Sequence, residues 1–288
     1  MTPQFAARSR SRPPLTRLFA GAGLAAIIVP TLVTIARAHW SQDEGAQGPI
    51  ILATGAWLLW RARATLAREA APLSGLAWPL AFVPLALLYA FARAYGLLFV
   101  ETASAYVAFL LAALIYLGPP LVRRFWFPFL YPAFLIVPPA TVVAQLTLPL
   151  KLWISSASVE LLYAAGYPVA LAGVTIQIGP YELLVRQACS GLGSMLSLCA
   201  IGLFYAHLRR SAGARHGAAL LMAILPMAIF ANFVRVILLV LLTWYFGVGV
   251  AQGMAHDLAG LLLFFIAMLC MLGTESAIGA LDRKRAAS

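Results

Sequence analysis

The chain has 288 residues, of which 63% are hydrophobic and only 10% charged, with a mean hydropathy of +0.92. Soluble domains average about 45–50% apolar and about 25% charged residues, so a soluble globular fold is excluded and a bilayer-spanning one implied. The net charge of +11 describes no nucleic-acid-binding face, because Lys and Arg stand in short clusters at the ends of apolar runs, where they set membrane topology.

In chain order, apolar windows between these clusters predict an all-α polytopic membrane protein of about eight transmembrane helices. They are residues 17–37, 49–61, 76–93, 98–117, 124–140, 188–208, 217–246 and 256–278. The second is short. With a basic tail at residues 1–16 inside, the cytoplasmic segments collect Arg8, Arg10, Arg12 and Arg17; Arg61, Arg63 and Arg68; Arg123 and Arg124; Arg209, Arg210 and Arg215; and Arg283, Lys284 and Arg285. The other face holds only Arg37, Arg93, Lys151 and Arg186, so the bias of positive charge toward the cytoplasm selects one orientation, with both termini inside. Ala36-Arg37-Ala38 imitates a signal-peptide cleavage site, but the apolar run from Leu18 to Ala36 is longer than a usual h-region and reads as a span. The whole of 1–288 reads as one transmembrane domain.

One connection is long. Residues 141–187 are expected on the outer face, before the sixth helix. Thr141 to Gly166 mixes Gln145, Lys151, Ser155, Ser156, Ser158 and Glu160 with Leu, Trp and Tyr, the pattern of a helix lying at the interface. From Val174 to Ile178 apolar residues alternate, Gly179-Pro180 supplies turn chemistry and Tyr181 to Val185 return, predicting a short β-hairpin; an irregular loop is the alternative.

Ionisable or reactive groups inside spans are costly, and each is a functional candidate. Arg235 lies in Asn232-Phe233-Val234-Arg235-Val236, deep in an apolar window. His256 and Asp257 open the last span, and Cys189, in Ala188-Cys189-Ser190-Gly191-Leu192, opens the sixth. A thiol at a helix start beside a cation is favoured as thiolate by the helix dipole and by the charge. An imidazole at similar depth can take the thiol proton and return it to a leaving amine, and a guanidinium can stabilise thiolate or oxyanion. Asn232 or Asp257 can orient Arg235 or His256. Counted back from Gly247 at about 1.5 Å per residue, Arg235 lies roughly 18 Å from the end of its helix, near mid-bilayer unless that helix is offset outward. Each residue also has a plain reading: a small buried hydrophobe for the cysteine, an interfacial polar group for the histidine, interhelical hydrogen bonding for Arg235 with Asn232, and close packing for Gly191 and Gly193.

The three cysteines, Cys189, Cys199 and Cys270, form no disulfide framework. Cys189 and Cys199 are ten residues apart on one predicted helix, about 15 Å, too far to bridge. No cluster of Cys, His and acid has metal-ligand spacing, and no cofactor is implied.

Taken in order, Ala188-Cys189-Ser190-Gly191-Leu192, Asn232-Phe233-Val234-Arg235-Val236 and His256-Asp257-Leu258-Ala259-Gly260 resemble the exosortase/archaeosortase family of membrane cysteine transpeptidases. Pro138-Pro139, Leu148-Pro149-Leu150 and Gly166-Tyr167-Pro168-Val169 followed by Gly173-Val174 are similar to it too. The likeness runs from about Phe127 to Phe265, with helices in 188–281 carrying the catalytic blocks. The resemblance implies Cys189 as nucleophile, Arg235 as stabiliser of thiolate or oxyanion and His256 as general acid/base, supported by Asn232, Asp257 and Ser190. It implies membrane-inserted protein substrates with a C-terminal sorting signal, a short motif of the Pro-Glu-Pro kind before a transmembrane helix and a basic tail. These would be cleaved at the outer face of a bacterial inner membrane, with the acyl group passed to an unidentified acceptor. The loop from Gly166 to Arg186, with Gly173, Tyr181 and Arg186, is the expected substrate contact because it directly precedes Cys189. The competing readings are a hydrolytic cysteine membrane protease and a non-enzymatic transporter or polysaccharide-export partner.

Overall fold

The structure, a computed structural model, describes residues 14–40, 45, 47–73, 80–173, 175–184, 191–209, 214–249, 265, 266 and 268–277. The chain falls into two compact units, residues 1–38 with 48–137 and residues 39–47 with 138–288.

The first unit contains α1 (Pro14–His39), α2 (Gly48–Glu69), α3 (Phe82–Ala94), α4 (Leu98–Leu117), α5 (Pro119–Arg124), α6 (Trp126–Leu130) and a 3₁₀ turn (Tyr131–Leu135). The second contains α7 (Ala140–Ala164), β1 (Val169–Ala172), β2 (Thr175–Ile178), β3 (Tyr181–Leu184), α8 (Gly191–Leu208), α9 (Ala214–Phe246) and a last helical stretch, α10, at 268–277.

The chain is a mostly helical membrane protein. Among the described residues four helices are long and apolar enough to cross a bilayer: Phe19–His39, Leu98–Leu117, Ala140–Ala164 and Met222–Phe246. The predicted spans at 188–208 and 256–278 lie partly outside the described residues, and the other differences have local causes. The predicted span at 49–61 lies in α2, whose last turns carry Arg61, Arg63, Arg68 and Glu69. The predicted span at 76–93 is a helix of 13 residues from Phe82, with 74–79 outside the described residues. The predicted span at 124–140 is broken, because Pro128 and Pro132 remove backbone donors and Pro138-Pro139 ends the turn. Yet this broken stretch runs back along α4. Leu121 packs in one cluster with Ala113, the Phe129 and Phe109 rings lie 5.9 Å apart, and Val137 N–H donates to Thr102 Oγ1 at 3.3 Å.

A polar network crosses the apolar interior of this unit. Glu101, 3% exposed in the first turn of α4, accepts from Arg93 Nη1 at 2.6 Å and from Thr31 Oγ1 at 3.2 Å, while Tyr89 OH donates to the Ile27 carbonyl at 3.1 Å. Removing one member of such a pair costs more than the pair itself contributes, because the remaining charge keeps its desolvation penalty. Since the carboxylate is the buried partner, Arg93→Leu is expected to destabilise the protein by about 3 kcal/mol or more, and Glu101→Leu by less. Arg93→Leu/Glu101→Leu together recover most of the loss, as thermal unfolding of the three variants in detergent will measure.

In the second unit the predicted hairpin is present and a strand is added to it. β2 and β3 pair antiparallel with Ile178 opposite Tyr181, leaving Gly179-Pro180 as a two-residue turn. Gly179 has φ +56°, and Pro180 holds φ negative, the combination a II′ turn requires. β1 pairs with β2 from Val169↔Ile178 to Ala172↔Thr175, giving a three-stranded sheet in sequence order. The inner face buries Val169, Ile176, Ile178 and Leu183 against Ile154 and Leu162 of α7 and Val236, Leu239 and Val240 of α9. On the outer face Gln177 Nε2 donates to Glu182 Oε1 at 3.0 Å.

α7 departs from the expected interfacial helix. It buries Thr147, Ser155 and Ser158 and exposes Leu146, Trp153 and Leu161. Small polar residues thus face protein while large apolar ones face outward together with Gln145 and Glu160, and the helix is long and apolar enough to cross a bilayer.

The tip of the hairpin is a tight contact. A Cβ on Gly179 would lie 2.6 Å from Cζ3 of Trp244, whereas one on Gly173, φ +63°, meets nothing within 4 Å. Gly179→Ala is therefore expected to cost about 2–4 kcal/mol, from the left-handed backbone and overpacking together, against about 1 kcal/mol for Gly173→Ala. Paired thermal melts read the difference.

Candidate active site

α9 has 33 residues and so a length of about 50 Å, well beyond the roughly 30 Å of hydrocarbon. Its buried positions, Leu220, Ile224, Ala228, Ala231, Asn232, Arg235, Val236, Leu239, Val240 and Thr243, recur every three or four residues and form one stripe. Asn232 and Arg235 lie in that stripe, 2% and 3% exposed, so both point into protein. Arg235 directly precedes Val236, where the sheet begins to cover the helix. The C-terminal turns of α9 thus pack against protein, and Arg235 stands at the edge of that packing.

Contacts between neighbouring helices set relative depth. α8 and α9 pack together as consecutive helices joined by a short connection, and Gly202 meets Ile224 so closely that a Cβ there would lie 2.8 Å from its side chain. Gly191, the first residue of α8, stands eleven residues before Gly202, and Arg235 stands eleven after Ile224. In antiparallel helices both rise about 16 Å from that crossing, so Arg235 is level with the start of α8. Cys189 is two residues ahead of that start.

α10 joins the same bundle at the other end. Glu275 accepts from Tyr205 OH and pairs with Arg209 Nη2 at 2.5 Å, and Thr274 Oγ1 approaches Met227 Sδ at 3.8 Å. Glu275 therefore ties the helix that begins just after Cys189 to the stretch that follows His256.

Of the predicted site residues, Arg235 and Asn232 are brought together on one buried face. Gly173 and Tyr181 belong to the sheet but lie at opposite ends of it. Gly173 turns beside the Thr175↔Leu184 pair, at the end that leads on to Cys189, whereas Tyr181 follows the turn resting on Trp244, about 10 Å away along the strand. Cys189, Ser190, Arg186, His256 and Asp257 lie outside the described residues.

Two features escaped sequence reasoning. Ser158 is fully buried on α7 within the helix face that meets α9 and the sheet, and its Oγ has no hydrogen-bond partner among the described residues. Sequence placed it on an interfacial helix, where a serine looks solvated. The Tyr167 and Tyr245 hydroxyls meet at 2.9 Å, with rings edge to face, and tie the loop before β1 to the end of α9. That hydrogen bond raises the Tyr167 pKa, with smaller contributions from desolvation and from the neighbouring phenol. An apolar cavity of about 190 Å³ in the first unit, lined by residues such as Ile35, Ile51, Leu59 and Phe109, has no thiol, imidazole, carboxylate or cation in its wall. The candidate chemistry belongs to the second unit.

No curated protein and no solved structure matches this chain. The family model described as transmembrane exosortase matches residues 39–273, a stretch that reaches from the last residue of α1 into α10 and includes all three sequence blocks. A match over most of the chain, in a helical membrane protein, establishes that it belongs to the transmembrane exosortase family, membrane enzymes that process sorting signals.

Proposed function

We propose that the protein is a cysteine transpeptidase that cleaves the C-terminal sorting signal of secreted, tail-anchored proteins at the outer face of a bacterial inner membrane. The observation that carries this reading is the position of Arg235, buried and level with the start of the helix that Cys189 precedes by two residues. In this reading the Cys189 thiolate attacks the scissile carbonyl carbon, and the oxyanion that forms is met by the Arg235 guanidinium. His256 takes the thiol proton and delivers it to the departing amine, the C–N bond breaks, and a thioester remains on Cys189. An acceptor nucleophile, its proton taken by His256, then attacks the thioester, and the thiolate leaves. Asn232, one turn from Arg235 on the same face, and Asp257 beside His256 orient these groups, and Ser190 lies next to the nucleophile.

A substrate anchored by its own transmembrane helix suits this arrangement, because the bilayer holds its motif at a fixed depth and raises its local concentration at the site. The test is co-expression with a secreted protein ending in a short Pro-Glu-Pro-like motif, one apolar helix and a basic tail. Mass spectrometry of the processed product will show a C-terminus carrying an added group. A free carboxylate would reassign the protein as a hydrolytic protease, and an uncleaved substrate would refute the enzymatic reading.

A further inference from the structure

The sheet has two edges, and they are not equivalent. In an antiparallel ladder, residues alternate between exchanging backbone hydrogen bonds with the neighbouring strand and pointing those groups away from it. The two-residue turn closing Ile178 onto Tyr181 makes that pair hydrogen-bonded, so Leu183↔Ile176 is bonded as well. Glu182 and Leu184 are then the residues whose N–H and C=O point out of the sheet on the β3 side. By the same count Val169 and Leu171 point outward from β1.

The β1 edge is partly spent. Val169 N–H donates to the Tyr167 carbonyl at 2.9 Å, and β1 packs against α7. On the β3 edge, no described residue makes a further backbone hydrogen bond to Glu182 or Leu184. Nor is the edge guarded by charge: the Glu182 carboxylate is drawn across the sheet face to Gln177, away from the edge. An unpaired edge is ordinarily blunted by an outward charge, a proline or a covering segment. β3 is also the strand that leads, through four residues, to Cys189.

We propose that the β3 edge receives the extended stretch of the substrate's sorting signal, the residues just before its transmembrane helix, as a fourth strand. The inference rests on the transpeptidase reading and gives that site its mode of substrate capture. Main-chain pairing with Glu182 and Leu184 aligns the peptide regardless of its side chains. Specificity then comes from alternate residues of the motif, the ones facing Gln177 and Glu182 on the outer face or the opposite side. The strand delivers the peptide to the end of the sheet marked by Leu184 and the Gly173 turn, from which the chain continues to the nucleophile.

Two measurements on the full-length enzyme in membranes test this. Glu182→Pro deletes one outward N–H without touching the β2–β3 ladder, since the Glu182 N–H takes no part in it. At equal expression, processing of a co-expressed tail-anchored substrate is expected to fall at least tenfold. Independently, Glu182→Cys in a Cys189→Ala background, paired with single cysteines walked along the substrate motif, is expected to form disulfides at every second motif position, and Ala170→Cys at none. Wild-type processing by Glu182→Pro, or crosslinks without a two-residue period, would overturn the docking edge while leaving the transpeptidase intact. Loss of all processing in the wild-type pairing would instead overturn the reading beneath it. Should Glu182→Pro fail to accumulate, the crosslinking pattern alone decides.

Discussion

Cys189→Ala is expected to leave a tail-anchored substrate at full length, with processing reduced by on the order of 10⁴-fold or more. Alanine keeps a small side chain at this position but removes the only atom that can form the thioester. Helix packing, membrane insertion and expression should therefore match the wild type. Cys189→Ser should be far less active, because a hydroxyl is far harder to ionise than a thiol and the proposed site is arranged to stabilise a thiolate. Pulse-chase labelling of the substrate, with immunoblotting of the enzyme, reads both variants. A transporter or export partner would tolerate either substitution, so unchanged processing by Cys189→Ala would remove the cysteine from the mechanism.

Arg235 provides the second large effect. Arg235→Leu places a shorter, apolar side chain on a stripe that is mostly apolar around Asn232, and it removes the donors that the proposed mechanism directs at developing negative charge. A lost oxyanion donor costs about 3–4 kcal/mol, a fall of roughly 10²–10³ in kcat. Arg235→Lys retains the charge and loses the planar fork, so it should recover only part of that rate. If Arg235 served only to hold helices together, Arg235→Leu would lower thermal stability and leave kcat near normal. The expected result is the reverse, a collapse in kcat with a melting temperature displaced by a few degrees at most. Measuring processing rate and detergent melting on the same preparation separates the two.

How much of this was legible beforehand depends on the kind of signal. The alternation Thr175-Ile176-Gln177-Ile178 followed by Gly179-Pro180 announced a hairpin, and the register has its turn at those two residues. Val169-Ala170-Leu171-Ala172 carries no polar alternation, so β1 could be found only through its pairing with β2. Similarly, α4 at Leu98–Leu117 coincides with its predicted window because no proline or charge cluster interrupts it, whereas the window at 124–140 is apolar enough but broken by prolines. For α7 the error concerned orientation. Its Gln145 and Glu160 are exposed as a polar outer face requires, yet Ser155 and Ser158 pack inward.

By itself, then, the amino-acid order determined that this is a helical membrane protein, which short blocks carry a thiol, a guanidinium and an imidazole, and where a hairpin forms. Those properties are local, written in composition, period and turn chemistry. Tertiary structure alone decided that Arg235 faces protein and lies level with the start of α8, that the sheet packs on the C-terminal turns of α9, and that among the described residues no strand pairs with the free side of β3. Hydropathy is silent on these matters because lipid and protein interior are equally apolar to a helix. Only the contacts between helices reveal which face is turned inward and how far one has slid along another.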